Sequence, residues 1–423
     1  MSQIIARAQG DLTSAAQADT GRKWKVALAG TGINLALGVL YVWSMFKDAI
    51  SREFGWKGEQ LNDPYALCCL VFAFTMILAG RCQDKFGPRV TASLGGLLVG
   101  VGLMLLSLTS SYVAWVLGFG VMVGAGLGFG YASATPAALK WFGPSKTGMV
   151  TGLVVAGFGL APVYLSPLSQ HLLGTQGLRP AMLIYGVGAI VVVCGLAQLL
   201  NNPPAGYVAE PARSPGLGGG AKPGEVSIGP GELLRGPTFY LLWLIYFIGA
   251  GAGLMVISSM SGMAKKSMGS SAFVAVAVMA LGNSGGRITA GLLSDQIGRR
   301  ATLLLVLLFQ AALMFIAIPV TGAKNLSALV TVVTATLIGF NYGANLSLFP
   351  SFAKDLWGLK SFGMNYGFLF TAWGVGGFVL SRLQQTLTAR SGWSFTSSYV
   401  TAGVLLLAGA ALTFALKPAS GRK

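Results

Sequence analysis

Long apolar runs separated by short polar stretches order this chain, and the runs have the length of bilayer crossings. A hydrocarbon layer of about 30 Å needs roughly 20 helical residues at about 1.5 Å each, and a run rich in Leu, Val, Ala, Gly and Phe of that length predicts a spanning α-helix. Such runs lie near 25–46, 64–80, 90–109, 112–139, 147–169 and 180–200, then near 238–260, 272–293, 301–321, 325–349, 361–381 and 394–416. Twelve helices are expected, six on each side of a break at 201–224 that is too rich in Pro and Gly to build a core. The predicted organisation is a tail at 1–24, a six-helix bundle at 25–200, a linker at 201–236, a second six-helix bundle at 237–416 and a tail at 417–423.

Composition sharpens the class. Of 423 residues, 54% are hydrophobic and only 10% charged, against about 25% charged in soluble proteins, so the fold class is an all-α polytopic membrane protein. A net charge of +17 would suggest nucleic acid in a soluble chain. Here nineteen of the 29 Lys and Arg fall in the tails and even-numbered loops and nine in the odd-numbered loops. That bias places both termini in the cytoplasm and excludes a nucleic-acid partner, with the plasma membrane and its lipid as the expected surroundings. Cys68, Cys69, Cys82 and Cys194 have neither disulfide nor metal-ligand spacing, so no metal and no cofactor are expected. The first 20 residues lack the order of a cleavable signal, which leaves helix one as the insertion signal. Trp24, Trp56, Trp141, Trp357 and Trp393 read as interface anchors near helix ends. The lone His171, at the outer end of helix five, reads as a solvated interfacial residue.

One charge remains inside an apolar run. Arg287 lies in Gly282-Asn-Ser-Gly-Gly-Arg287-Ile-Thr-Ala-Gly291, roughly 12 Å along the helix from the loop that begins at Asp295. A guanidinium keeps its proton, and its insertion at bilayer depth costs roughly 2.5–3.5 kcal/mol on lenient scales. An anionic substrate would offset that cost, which makes Arg287 the candidate anchor. No nucleophile, base and orienting residue cluster at any spacing, so an enzyme is not expected.

The two halves share an element. Gly80-Arg-Cys-Gln-Asp84-Lys-Phe-Gly87-Pro-Arg89 follows helix two, and Gly291-Leu-Leu-Ser-Asp295-Gln-Ile-Gly298-Arg299-Arg300 follows helix eight. The first Gly permits close helix approach, the Asp can accept from helix-terminal N–H groups, and the Arg can pair with a carboxylate or a helix end. The repeated pattern resembles the loop signature of the major facilitator superfamily. That resemblance implies a 6+6 architecture of two bundles related by an axis along the membrane normal, a substrate at the midplane and alternating access. Gly118, Gly120, Gly124, Gly126, Gly128 and Gly130 in helix four would then serve close packing between the moving bundles.

Three segments are similar to the monocarboxylate transporter family and its bacterial oxalate:formate antiporter-like relatives: Gly126 to Phe142, Trp141 to Gly157, and Asn283 to Leu292. Helix one, with Gly38-Val-Leu-Tyr41-Val-Trp43, is closer to the bacterial branch. The resemblance implies that Arg287 binds a substrate carboxylate and that transport is coupled to a proton. Two departures bear on this. Asn283 stands where proton-coupled members carry Asp, and helix eleven lacks the Lys expected of oxalate exchangers before Arg382 at its outer end. One buried positive charge matches one carboxylate, since a second would remain unpaired in a low-dielectric cavity.

An Arg fork grips both oxygens of a carboxylate and leaves the tail to other residues. Asn283 lies one turn before Arg287 on the same face. Asn341, Tyr342 and Asn345 on helix ten, Asn365, Tyr366 and Trp373 on helix eleven, and Asn34, Leu35, Tyr41 and Tyr131 in the first half complete the candidate list. The expected function is secondary transport of small monocarboxylates of the lactate or pyruvate type, as a proton symporter working as a monomer. Exchange of formate, oxalate or related acids is the alternative, and a non-transporting membrane sensor is the alternative from another class.

Overall fold

The computed structural model describes residues 21–204, 207, 228–268, 272–322, 328–390 and 395–416. Most of the 1–24 tail, the 417–423 tail, the linker between 208 and 227 and Trp393 lie outside the described residues. Every regular element among the described residues is a helix. We label its long helices α1 (Gly21–Phe54), α2 (Asp63–Phe86), α3 (Pro88–Leu106), α4 (Tyr112–Leu139), α5 (Thr147–Thr175) and α6 (Leu178–Ala197). The second half supplies α7 (Pro237–Met268), α8 (Ala272–Ile297), α9 (Arg299–Gly322), α10 (Ala328–Trp357), α11 (Phe362–Arg390) and α12 (Thr396–Leu412). Ten of the twelve have the length and apolar composition of a membrane crossing. The other two are α8, with Asn283 and Arg287, and α11, with Asn365 and Tyr366.

The burial pattern is that of a protein solvated by lipid. Large apolar side chains are exposed along one face of α3 (Val90, Leu94, Leu97, Val101, Leu105), and α6, α9 and α12 repeat the pattern. Those four helices form the outer pairs α3–α6 and α9–α12. The halves meet along two seams, α5 against α8 and α2 against α11, and polar residues such as Arg287, Asn345 and Ser351 are buried within. The order expected for water is thus inverted, because lipid supplies no hydrophobic drive to hide Leu and cannot satisfy a polar group.

Gly87 and Gly298 occupy equivalent turns with φ of 83° and 91°, a left-handed conformation that only Gly adopts freely. Each turn starts the next helix at once, so α2–α3 and α8–α9 are tight corners. The end of the molecule that carries these corners is called the basic end below. Just before the corners, Gly80 packs against the Gly363 carbonyl and Gly291 against the Gly148 carbonyl, where a Cβ would collide with backbone. The close approach expected of these glycines is therefore present in both seams.

The α4 glycines do something different from what their number suggests. Gly120, Gly124 and Gly128 pack on α2, Gly126 on α3 and Gly130 on Leu37 of α1. They tighten the first bundle internally rather than lying between the halves. Trp56, Trp141 and Trp357 are 8%, 3% and 4% exposed, so they are packed inside the protein rather than anchored in the lipid interface. Among the described tryptophans of the group only Trp24 is exposed, at 38%.

Candidate functional site

Successive turns of α8 put Asn283, Ser284 and Arg287 on the face toward α5. Gly152 and Gly159 make the approach possible: a Cβ at 152 would meet the Arg287 carbonyl, and one at 159 would lie 3.2 Å from Arg287 Nε and 2.7 Å from Ser284 Oγ. Ser284 Oγ donates to the Ala156 carbonyl at 3.1 Å. Arg287 is fully buried. Its Nε donates to Asn283 Oδ1 at 2.9 Å, one terminal nitrogen to the Val155 carbonyl at 2.5 Å, and the other to the Tyr41 hydroxyl at 3.3 Å. All three acceptors are uncharged, and no carboxylate pairs with the guanidinium among the described residues. Three of its five N–H groups are therefore used and its charge is not neutralised.

Tyr41 reaches Arg287 because α1 narrows into a 3-10 segment at Gly38–Val42, where Gly38 lies against Ala161 and the Phe158 carbonyl. Its hydroxyl also lies 3.4 Å from that of Tyr342, which accepts from Trp373 Nε1 at 2.8 Å. The path Arg287–Tyr41–Tyr342–Trp373 thus links α8, α1, α10 and α11. Only one proton can be shared between the two phenols, so whichever way it points, one phenol proton has no acceptor within this path. Three further hydroxyls, those of Tyr131, Tyr246 and Tyr366, are buried with no hydrogen-bond partner among the described residues. Their rings surround Phe370, with centroids at 5.5, 6.3 and 5.7 Å. Phe72, Phe158 and Trp373 complete an aromatic wall, with Phe72 at 5.2 Å from Phe370 and 5.4 Å from Trp373. The result is a buried, aromatic centre with an excess of donors around one cation.

Of the residues read from the sequence, Arg287, Asn283, Tyr41, Tyr342 and Trp373 are joined by these bonds, and Tyr131 and Tyr366 belong to the aromatic centre. The rest are placed elsewhere. Asn34 donates to the Val154 carbonyl at 2.8 Å, a bond between α1 and α5. Asn341 donates back to Leu337, and Asn345 donates to Asn341 and to Gln310 of α9. Asn365 donates to the Ile228 carbonyl at 2.8 Å, where the linker returns to the bundle. Leu35 is half-buried, and its carbonyl accepts from Tyr164 at 3.1 Å. Sequence reading missed Ser284, Gly159, Tyr246 and the Val155 carbonyl. Tyr246 is a polar group within an otherwise apolar stretch of α7 and could have been noticed. A backbone acceptor has no sequence signal.

The repeated corners close the basic end. Asp84 accepts from the N–H groups of Gly363 and Met364 at 3.3 and 3.2 Å, and Asp295 from those of Gly148 and Met149, both at 2.8 Å. Each aspartate of one half thus holds the first turn of a helix of the other, where the helix dipole favours it. Arg89 donates to the Leu200 carbonyl at 3.1 Å and Arg300 to the Phe414 carbonyl at 3.0 Å, equivalent ends of α6 and α12. Arg299 instead bonds Asp355 at 2.9 Å and Asp295 at 2.6 Å.

Two six-helix bundles, two crossed aspartate contacts and a buried polar centre between them form the frame of a membrane transporter. The family model described as Major Facilitator Superfamily matches residues 26–381, and the chain belongs to that family. The family and its structural neighbours are transporters rather than enzymes. Among curated relatives, the oxalate:formate antiporter of Oxalobacter formigenes is 28% identical over 409 residues, covering 95% of this chain and 93% of its own. Monocarboxylate transporter 11 of Homo sapiens is 24% identical over 402 residues, covering 92% of this chain and 82% of its own. Among solved structures, the proton:xylose symporter XylE bound to 6-bromo-6-deoxy-D-glucose superposes with a TM-score of 0.70 at 13% identity, over 94% of this chain and 96% of its own. That likeness is one of fold.

Proposed function

We propose that this transporter carries small monocarboxylates across the plasma membrane, with Arg287 gripping the carboxylate. The observation that carries the reading is the buried guanidinium with no acid beside it among the described residues and a surplus of donors around it. A monoanion supplies two carboxylate oxygens to the two unused N–H groups of Arg287 and to the phenols, and it neutralises the charge. A dianion would leave half its charge unpaired, because α11 offers no cation before Arg382, which is 47% exposed and lies 3.9 Å from Asp63 at the opposite end. The closed basic end and the bond from Arg287 to the Val155 carbonyl support a reading in which substrate entry breaks that bond.

We assign the lactate or pyruvate type of acid and a co-transported proton as the leading reading, with both termini cytoplasmic and the monomer as the working unit. Arg287 does not titrate, and Asn283 cannot carry a proton in place of an acid. The proton therefore moves with the substrate or through the phenols. The same observation favours exchange as the second reading, and the likeness to an oxalate:formate antiporter supports it. Proteoliposomes decide between them. Uptake of labelled L-lactate that needs an inward proton gradient, is lost in Arg287→Gln and ignores oxalate supports symport. Gradient-independent uptake that needs an internal anion supports exchange. Undiminished uptake by Arg287→Gln would overturn the site.

A further inference from the structure

A second feature lies far from Arg287, at the basic end, where α1 and α6 diverge. Gly32 of α1 leaves room for Leu196 of α6, so the helices touch there. Beyond that contact they open into a cavity of about 380 Å³ lined by Arg22, Lys25, Trp141, Leu199, Asn201 and Asn202, among others. Arg22 and Lys25 are three residues apart, so they share a face of the first turns of α1. Both are exposed, and among the described residues neither makes an ion pair and no acid lines the cavity.

The cavity is also open to lipid. Leu199 on its wall is 48% exposed, and Leu28, one turn along α1 from Lys25, is 59% exposed. Cations above and apolar surface below match the division of a phospholipid into a phosphate and its chains. A soluble anion would have no use for the apolar part. We propose that this cavity binds an anionic phospholipid, its phosphate between Arg22 and Lys25 and a chain along Leu28 and Leu199. The floor of the site is the start of the linker. Asn201 accepts from Trp141 Nε1 through its carbonyl at 2.7 Å and from Arg89 through its side chain, and Asn202 accepts from Lys140 at 3.1 Å. The bound lipid therefore sits beside the segment on which the α2–α3 corner rests.

The test is independent of the substrate reading. The full chain is exchanged into detergent with dioleoylphosphatidylglycerol or dioleoylphosphatidylcholine, and retained lipid is counted by native mass spectrometry. Wild type should retain phosphatidylglycerol preferentially. Arg22→Gln/Lys25→Gln should weaken that retention roughly thirtyfold, which corresponds to about 1 kcal/mol for each cation removed. Arg52→Gln/Lys57→Gln, which removes two exposed cations at the opposite end, should leave it unchanged. Equal retention of the two lipids, or equal loss in both double variants, would overturn the proposal. So would displacement of phosphatidylglycerol by millimolar inorganic phosphate, which would make this a soluble-anion site. Thermal unfolding of each variant near the wild-type temperature, or retention restored by Arg22→Lys, keeps a folding defect from imitating a result.

Discussion

The two seams between the halves are built on one plan and filled with different chemistry. In the α2–α11 seam, Asp84 reaches two N–H groups at 3.3 and 3.2 Å, and aromatic packing of Phe72 with Phe370 and Trp373 continues inward. In the α5–α8 seam, Asp295 reaches its two N–H groups at 2.8 Å and bonds Arg299, which bonds Asp355, while Lys354 bonds Thr147. Further in, Ser284 and Arg287 of the same seam donate to the carbonyls of Ala156 and Val155. The cation near Asp84 is Lys140. Burial pulls its ammonium below the ordinary lysine value, the Asp84 charge opposes that, and its Nζ bonds Asn202. Duplication supplies the frame, and the buried guanidinium of Arg287 lies in one copy only. The α5–α8 seam should therefore govern both substrate binding and the stronger closure, while the α2–α11 seam is the weaker side.

The largest expected effect is at Arg287. Arg287→Gln should lower substrate affinity and transport by roughly 100-fold or more, since removing one partner of a buried charged contact costs about 3–5 kcal/mol. Equilibrium binding of labelled substrate separates this from slow turnover. Near-normal binding would place the recognition elsewhere and dissolve the asymmetry. The glycines should behave in the opposite manner. Gly80→Val and Gly291→Val each push a side chain into backbone of the other half, so both should damage transport and folding to a similar degree, about 1–3 kcal/mol each. A variant harmless in one seam alone would mean that only the other seam closes fully.

Most of this frame was legible because its causes are local. Apolar runs of crossing length gave the helices, and two copies of a Gly, Asp, Gly, Arg pattern gave the corners, since a positive φ at Gly87 and Gly298 needs glycine. Arg287 was legible as an unexplained charge in an apolar run. The polar ring around it was less so. Asn34, Asn345 and Asn365 have the same side chain as Asn283, and only the packing of α5, α9 and the linker return decides that they bond there instead. The glycines of α4 failed for the same reason: a small residue announces a close neighbour without saying which one. Ser284 and the Val155 carbonyl needed the fold itself.

A smaller effect separates the aspartates. Asp295→Asn removes charge from a contact shared with Arg299, while Asp84→Asn weakens two longer bonds. Both carboxylates accept charge-assisted bonds of about 1.5–3 kcal/mol, with Asp295 at the upper end because its bonds are shorter and Arg299 holds it in place, and Asp84 at the lower end. Hydrogen exchange at the amides of 148–149 should accelerate roughly thirtyfold in Asp295→Asn, and that at 363–364 only severalfold in Asp84→Asn. Equal acceleration would show that the neighbouring Arg299 and Asp355 add nothing to closure.

The smallest effect tests the residue just before each aspartate. Ser294 is fully used, since its hydroxyl donates to the Gly291 carbonyl at 2.8 Å and accepts from Arg299 at 2.5 Å. Its counterpart Gln83 is 1% exposed, and neither its Nε2 nor its Oε1 has a hydrogen-bond partner among the described residues. An idle buried amide costs free energy, so Gln83→Leu, of similar volume, should stabilise the closed form by about 1 kcal/mol, while Ser294→Ala should destabilise it by a similar amount. Thermal unfolding in detergent reads both signs. If Gln83→Leu unfolds at a higher temperature but transports more slowly, the amide finds its partners when the basic end opens, and the weaker seam is then the one that moves. If Gln83→Leu instead unfolds at a lower temperature, Gln83 is already bonded in the closed form and the two seams are more alike than their contacts indicate.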